Sequence, residues 1–318
     1  MVSTRFSRML GLKYPIVQGG MAWVAEATLA AAVSQAGGLG LIAGGAAPAD
    51  VIRREIRRAK ELTQHPFGVN IMLMSEFADD LAQLVLDEKV PVVTTGAGSP
   101  GRFMAAWREA GVAVVPVVAS VALAKRMEKL GAAAVVAEGC ESGGHIGELA
   151  TMALVPQVAD AVEIPVVAAG GIADGRTLAA AFLLGAEGVQ CGTCFLPADE
   201  CQIHENYKKM ILEAHDTSTI VTGRYGAGHP IRQLKNQMAR DYIGLEKSGA
   251  TLEDLEKAAA GSLRRAVQEG DTRQGSFMAG QIAGLVKTRA KAAEIIETMF
   301  ADAARRLTAA QGAWGIEN

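Results

Sequence analysis

IPVVAAGGIADGRTLAAAFLLGAEGVQCGT, residues 164–193, sets two short apolar runs, each closed by glycine, on either side of an alanine- and leucine-rich segment with helical spacing. The run from Ile164 passes into Gly170 and Gly171, and the run from Glu187 passes into Gly192 and Thr193. Runs that are apolar along their whole length suit strands buried on both faces, the condition of a parallel sheet covered by helices. Leu178 to Leu184 supplies one covering helix, and Asp174 stands where its N-cap belongs.

The same beat extends back to the start of the chain. Apolar runs recur at YPIVQGG near Tyr14, LGLIAGG near Leu39, FGVNIM near Phe67, PVVTTGAG near Pro91, VAVVPVV near Val112 and AAVVAEG near Ala133. Helical spacing fills Leu29–Ala36, Phe77–Leu86 and Ala122–Leu130 between them. Strands alternating with helices in this number predict an α/β fold, a TIM-type (β/α)8 barrel, although an open doubly wound sheet satisfies the same periodicity.

The last of these runs ends before residue 200. Beyond it, Asn206–Ala214 and Ile231–Glu246 have helical spacing, Ile220–Thr222 reads as a short extended piece, and Leu252–Gln268 reads as helical before a loop at Gly270–Gly280. The expectation is a small, mostly helical domain over 200–280, inserted before the last barrel helix. Residues 1–199 and 281–318 then form the barrel. Gln281–Leu307 supplies its last helix, and Trp314 lies in a tail.

Composition narrows the function. Half of the 318 residues are hydrophobic, enough for one substantial core, and 31 basic residues nearly balance 34 acidic ones. That balance gives no field for nucleic acid or an anionic membrane, while a local basic patch for an acidic protein partner remains open. The N-terminal stretch lacks a secretory apolar run, and no apolar run is long enough to span a membrane. The four cysteines, confined to Cys140–Cys201, do not form a whole-chain disulfide framework. A reducing, cytoplasmic compartment is the expectation.

Strands seven and eight are the usual phosphate-binding pair of such a barrel. Backbone N–H groups at Gly171, Ile172, Gly192 and Thr193 are therefore assigned to a phosphate, helped by the positive end of a short helix. Beyond strand six, the loop from Glu138 through Gly143 and Gly144 to His145 aims a histidine at the barrel mouth, where it can donate to a developing enolate or move a proton near neutral pH. Gly19, Gly20 and Met21 after strand one, with Asn70 at the end of strand three, suit a flat flavin ring. Glycine admits close approach, methionine gives a polarizable contact, and asparagine both donates and accepts.

These residues also carry a resemblance. PIVQGGMAWVA from Pro15, FGVNIMLMS from Phe67, PVVTTGAGSP, EGCESGGHIG from Glu138, AAGGIADG from Ala168, GVQCGT from Gly188 and GSFMAGQIAGL from Gly275 resemble the flavin-dependent enoyl-acyl-carrier-protein reductases of the FabK type. That family lies within the superfamily of the nitronate monooxygenases. The resemblance implies FMN, reduction by NADH or NADPH, and an enoyl thioester on acyl carrier protein as acceptor, in fatty acid synthesis. It further implies a homodimer, and leaves a monovalent cation requirement open. It places Gly19, Gly20, Met21, Asn70, Glu138, Gly143, Gly144, Gly171, Gln190, Gly192 and Thr193 against FMN and makes His145 the catalytic residue. A nitronate monooxygenase and a nonenzymatic FMN sensor are the two alternatives. GSFMAGQIAGL favours the reductase because it extends beyond the shared barrel.

One position departs from the pattern. Cys194 stands where the resemblance expects an arginine, removing one electrostatic contact near the phosphate. Cys191, Cys194, Cys201 and His204 superficially suit zinc, but the same stretch is assigned to the phosphate loop, so no metal is expected. His65 reads as a turn residue, while His215 and His229 read as solvent-facing groups within reach of a nicotinamide or substrate.

Overall fold

A computed structural model describes residues 2–45, 47–225 and 229–314. Residues 226–228 of the expected insertion and 315–318 of the expected barrel lie outside that range. Eight strands run in parallel in one sheet: β1 (Ile16–Gln18), β2 (Gly40–Ala43), β3 (Phe67–Met72), β4 (Val92–Gly96), β5 (Ala113–Val118), β6 (Val135–Glu138), β8 (Val166–Ala169) and β9 (Gly188–Cys191). A two-residue strand, β7 (Gly144–His145), interrupts the sequence after β6.

The sheet order is β1-β9-β8-β6-β5-β4-β3-β2. Its two edges meet where Val17 bridges Leu39, through Gln18 N–H to the Leu39 carbonyl at 2.9 Å and Leu39 N–H to the Ile16 carbonyl at 2.8 Å. The closed arrangement is the (β/α)8 barrel, and the open-sheet alternative is excluded. Closure also removes the unpaired edges that an open sheet would leave.

Side chains alternate across each strand, so parity decides which face each residue takes. Val17, Leu41, Val92, Val115, Val136 and Val167 form the barrel interior, with Phe6 from the N-terminal helix Arg5–Leu10 packed among them. Val69, Ile71 and Val93 face the helices, as do Val135, Val189 and Cys191. By the same parity Asn70, Thr94, Glu138 and Gln190 point inward, at the carboxyl ends of their strands.

Asp174 caps the helix Gly175–Leu183 as expected, its carboxylate accepting from Arg176 N–H at 3.0 Å and Thr177 N–H at 3.1 Å. Burial raises its pKa, but the Arg176 and Thr177 hydrogen bonds outweigh that and hold it below 3.8. The stabilisation is therefore complete above 3.8 and lost as pH falls through the lowered folded value. Asp174→Ala should cost about 1 kcal/mol at neutral pH, read in urea unfolding, and the deficit should shrink in acid.

Three readings of the chain beyond residue 200 are corrected. Ile231–Leu234 is a strand, β11, antiparallel to β10 (Thr219–Thr222), and the helix begins only at Gln237. Asn236 resets the chain there by accepting from Ala239 N–H at 3.0 Å, and the β-branched residues of β10 supply a cross-strand partner that helical spacing in one segment does not reveal. Leu252–Gln268 breaks at Gly261, whose φ of +69° ends the helix before a π-helical turn over Arg265–Glu269. Gln281–Leu285 is a short 3-10 turn, and the long helix runs from Ala292 to Ala313. Trp314 ends that helix and is 82% exposed.

β11 also pairs with β7, giving a three-stranded sheet in which Ile231 faces His145 and Arg232 faces Gly144. The inserted segment is thereby stitched to the loop that carries His145. Among the described residues, no helix is long and apolar enough to cross a membrane.

Candidate active site

Asn70, Glu138 and Gln190 share the upper tier of the barrel interior. Asn70 is in register with Thr94 and with Ala43; Glu138 pairs with Ala169, which pairs with Gln190. The turn after β1 leans over this tier. A methyl group at Gly20 would lie 2.2 Å from Asn70 Cβ, and one at Gly19 would lie 3.4 Å from the Gln190 side chain. A methyl at Gly192 would lie 3.3 Å from Met21 Sδ. The residues expected from separate motifs, Gly19 to Met21, Asn70, Gln190 and Gly192, are therefore neighbours in space.

Gly170 and Gly171 adopt φ of +96° and +70°, consecutive left-handed residues that turn the chain after β8. Among the described residues the N–H groups of Gly171 and Ile172 have no protein acceptor. Gly192 opens a 3-10 turn over Thr193–Phe195 beside them. Thr193 Oγ1 accepts from Gly280 N–H at 2.9 Å, which leaves its own proton free to donate.

The residues present fit FMN. Free backbone donors lie just beyond β8, and the Ser142 and Thr94 hydroxyl oxygens are buried without a partner near the interior tier. Unsatisfied donors and acceptors at a barrel mouth are what a polar ligand would satisfy.

Glu138 has the largest electrostatic perturbation in this tier. Burial pushes its carboxyl up to about 7, with the neighbouring Ser142 hydroxyl pulling weakly the other way without making a well-aligned hydrogen bond. Its protonated form is favoured in the folded state, so its contribution to stability is full below 4.5 and is lost as pH rises through about 7. The ligand-free Glu138→Gln protein should lose less stability between pH 5 and pH 8 than the parent does. Equal losses in urea unfolding would exclude this account.

The loop after β6 is pinned at several points. Cys140 N–H donates to the Leu149 carbonyl at 2.8 Å, and the Glu141 carboxylate accepts from Thr151 N–H at 3.0 Å and Thr151 Oγ1 at 2.9 Å. Glu141 thus supplies the missing N-terminal cap of the helix Thr151–Ala159, whose own N-cap residue is Ala150. The Glu141 carbonyl accepts from Gln281 N–H at 2.9 Å, and a methyl at Gly143 would lie 2.6 Å from the Ala279 carbonyl carbon. The segment around Ala279–Gly280 therefore lies against both the histidine loop and Thr193.

At the end of the loop His145 is solvent-facing yet crowded. Desolvation, with the charge of nearby His229, holds its pKa below 6.5, so the imidazole is neutral at pH 7. A neutral ring donates through one nitrogen only, which suits a hydrogen-bond donor to an oxygen gaining negative charge.

Gly280, Glu141, Thr151 and Arg232 were missed as site residues. Gly280 lies within GSFMAGQIAGL and Glu141 within EGCESGGHIG, while Thr151 and Arg232 stand in no motif and reach the loop only in the folded chain. Cys140 belongs to the histidine loop, and the other three cysteines are buried. Cys191 and Cys194 face the helical layer and share a thiol hydrogen bond that, with burial, raises the Cys191 thiol far above its ordinary value. Cys194, 4% exposed, packs into that layer from within the 3-10 turn Thr193–Phe195. Burial pushes Cys201 up to about 12, and His204 Nδ1 accepts from Asn206 N–H at 3.1 Å as a helix cap. Among the described residues, no group of three or more His, Cys, Asp or Glu side chains is placed to hold a metal ion. His65 lies at a turn, its N–H bonded to Thr63 Oγ1, and His215 N–H bonds Ser218 Oγ.

Comparison with known proteins gives a consistent picture. Residues 3–84 and 78–302 match the family described as nitronate monooxygenase. The solved structure of FabK from Thermotoga maritima superposes with a TM-score of 0.96 at 48% identity, covering 98% of this chain and 100% of that one. A nitroalkane oxidase from Streptomyces ansochromogenes superposes with a TM-score of 0.85 at 30% identity, over 95% of this chain and 99% of that one. A (3aS,4S,5R,7aS)-5-hydroxy-7a-methyl-1-oxo-octahydro-1H-indene-4-carboxyl-CoA dehydrogenase from Mycobacterium tuberculosis is 32% identical over 96% of this chain and 98% of its own length.

Proposed function

The chain belongs to the nitronate monooxygenase family, and from that premise we propose that it is an FMN-dependent enoyl-acyl-carrier-protein reductase of the FabK type. It reduces a trans-2-enoyl thioester to the saturated acyl thioester at the expense of NADH or NADPH. The observation that carries this reading is the 48% identity to FabK over 98% of the chain, which includes the segment from Gly275 that lies beyond the shared barrel and closes over Thr193. The proposal includes acyl carrier protein as the donor of the thioester, a homodimer, and a cytoplasmic site of action.

Bound FMN supplies the hydride-transfer chemistry between the nicotinamide and the β-carbon of the enoyl thioester. Gly171, Ile172, Gly192 and Thr193 would hold the phosphate with backbone N–H groups, and Thr193 would add its hydroxyl. Gly19, Gly20 and Met21 offer a flat apolar wall to the ring, while Asn70, Glu138 and Gln190 supply its hydrogen-bond partners from the interior tier. Gly143 and Gly144 would let the histidine loop pack close beside the cofactor, as Gly143 already does against Ala279. His145 donates its N–H to the thioester carbonyl oxygen as that oxygen gains charge, placing a prepaid donor where the transition state needs one.

An anaerobic absorbance experiment tests the reading. NADH or NADPH should bleach the flavin, and crotonyl thioester on acyl carrier protein should restore its colour, with and without potassium to test a cation requirement. A flavin that stays reduced after the thioester would overturn the proposed acceptor. Oxygen consumption with an alkyl nitronate and no nicotinamide would favour the nitronate monooxygenase reading instead.

A further inference from the structure

We propose that Arg232 is the positioning residue that holds the His145 loop in its working shape; this rests on the role given to His145 above. Arg232 lies on β11 in the inserted segment, yet its side chain reaches the barrel loop. Its Nε and Nη2 both donate to the Cys140 carbonyl, at 3.2 and 2.9 Å, and Nη1 reaches Thr219 Oγ1 at 3.4 Å. Its backbone is in register with Gly144. One residue therefore grips both ends of the turn Cys140–Gly144, which contains Ser142 and Gly143 and leads directly into His145.

The chemistry of this contact is unusual for a structural arginine. Arg232 is only 6% exposed, and among the described residues no carboxylate bonds it. Burial lowers its pKa; of the groups facing it, Glu141 favours its charge and Arg224 opposes it, while the Cys140 thiol, its own pKa raised by burial, is uncharged at neutral pH. A buried guanidinium without a bonded counter-ion is costly, and a neutral side chain would pair with one carbonyl at less expense. What the guanidinium adds is geometry: a planar fork fixes the direction of the carbonyl it grips, where a single donor leaves it free to swing. The adjoining pair Ile231 with His145, and Ile146 N–H on the Pro230 carbonyl at 3.1 Å, carry that constraint to the imidazole.

The experiment is a double-mutant cycle on the FMN-loaded full chain, read beside the titration of the His145 ring by nitrogen NMR. R232Q should lower enoyl turnover by up to about 10²-fold, the effect of a small misplacement of a reacting group, with FMN content and flavin reduction by the nicotinamide retained. The R232Q/H145A double variant should be no slower than H145A, because Arg232 acts only through His145. R232K keeps the charge and loses the fork; it should recover part of the turnover, and its loosened loop should let the His145 midpoint rise towards 6.5. Should R232Q fold poorly, R232K supplies the same cycle. Full turnover in the Arg232 variant, losses that multiply in the double variant, or an unmoved His145 midpoint in R232K would each overturn the proposal. If the parent protein shows no enoyl turnover, the functional reading fails, and the His145 titration still decides whether Arg232 sets the loop.

Discussion

His145→Ala should lower the rate of enoyl-thioester reduction on the order of 10²- to 10⁴-fold, the usual worth of a positioned proton donor, with FMN still bound. The site is arranged so that these two properties separate. His145 sits on a loop strand paired with Ile231, whereas Glu138 and Gln190 lie on the barrel strands and, among the described residues, no hydrogen bond joins the imidazole to them. Removing the imidazole leaves those groups untouched. Rapid-mixing measurements should show flavin reduction by the nicotinamide at the parent rate and a slowed reoxidation by the thioester. Because the ring is held neutral by desolvation and His229, the parent rate should also fall as pH drops through a value below 6.5, and the variant should lose that limb. Reoxidation at the parent rate would remove His145 from the chemistry.

Gly20→Ala should abolish stoichiometric FMN binding. The added methyl would lie 2.2 Å from Asn70 Cβ and 2.4 Å from its Cγ, and no rotamer change moves a Cβ. Either the β1 turn lifts or β3 shifts outward, and both motions open the ring-binding wall. Overpacking of this kind costs about 1–3 kcal/mol where the surroundings can yield, and here the yielding element is the site itself. The comparison is Gly244→Ala, in the helix Gln237–Lys247, where nothing lies within 4 Å of the new methyl. That variant should keep its flavin and gain slightly in stability through helix propensity. Flavin retained at full stoichiometry in Gly20→Ala would show that the β1 turn does not form the wall.

The inserted segment gives a reason for the length of chain beyond the barrel. The strand pairing of Arg232 with Gly144 and the Thr193 bond to Gly280 tie it to the two sides of the mouth. The loop that bears His145 thus owes its shape to residues about ninety positions downstream.

Much was legible in the sequence. The repeated apolar run, glycine turn and helix fixed the number and sense of the strands, because a strand buried on both faces must be apolar throughout and a helix over it must be amphipathic. The turn at Gly170–Gly171 was legible for a local reason too, since φ of +96° and +70° favour glycine. Local capping was readable too, at Asp174. Tertiary structure alone decided the rest. Ile231 and Leu234 are three apart, a helical spacing, and the segment became a strand because β10 and β7 offered hydrogen-bond partners on both edges. Closure of the barrel rests on Val17 meeting Leu39, and the grip of Arg232 on the Cys140 carbonyl spans 92 residues. Backbone carbonyls carry no residue-type signature, so contacts made to them leave no motif; only the folded chain brings their donors into range.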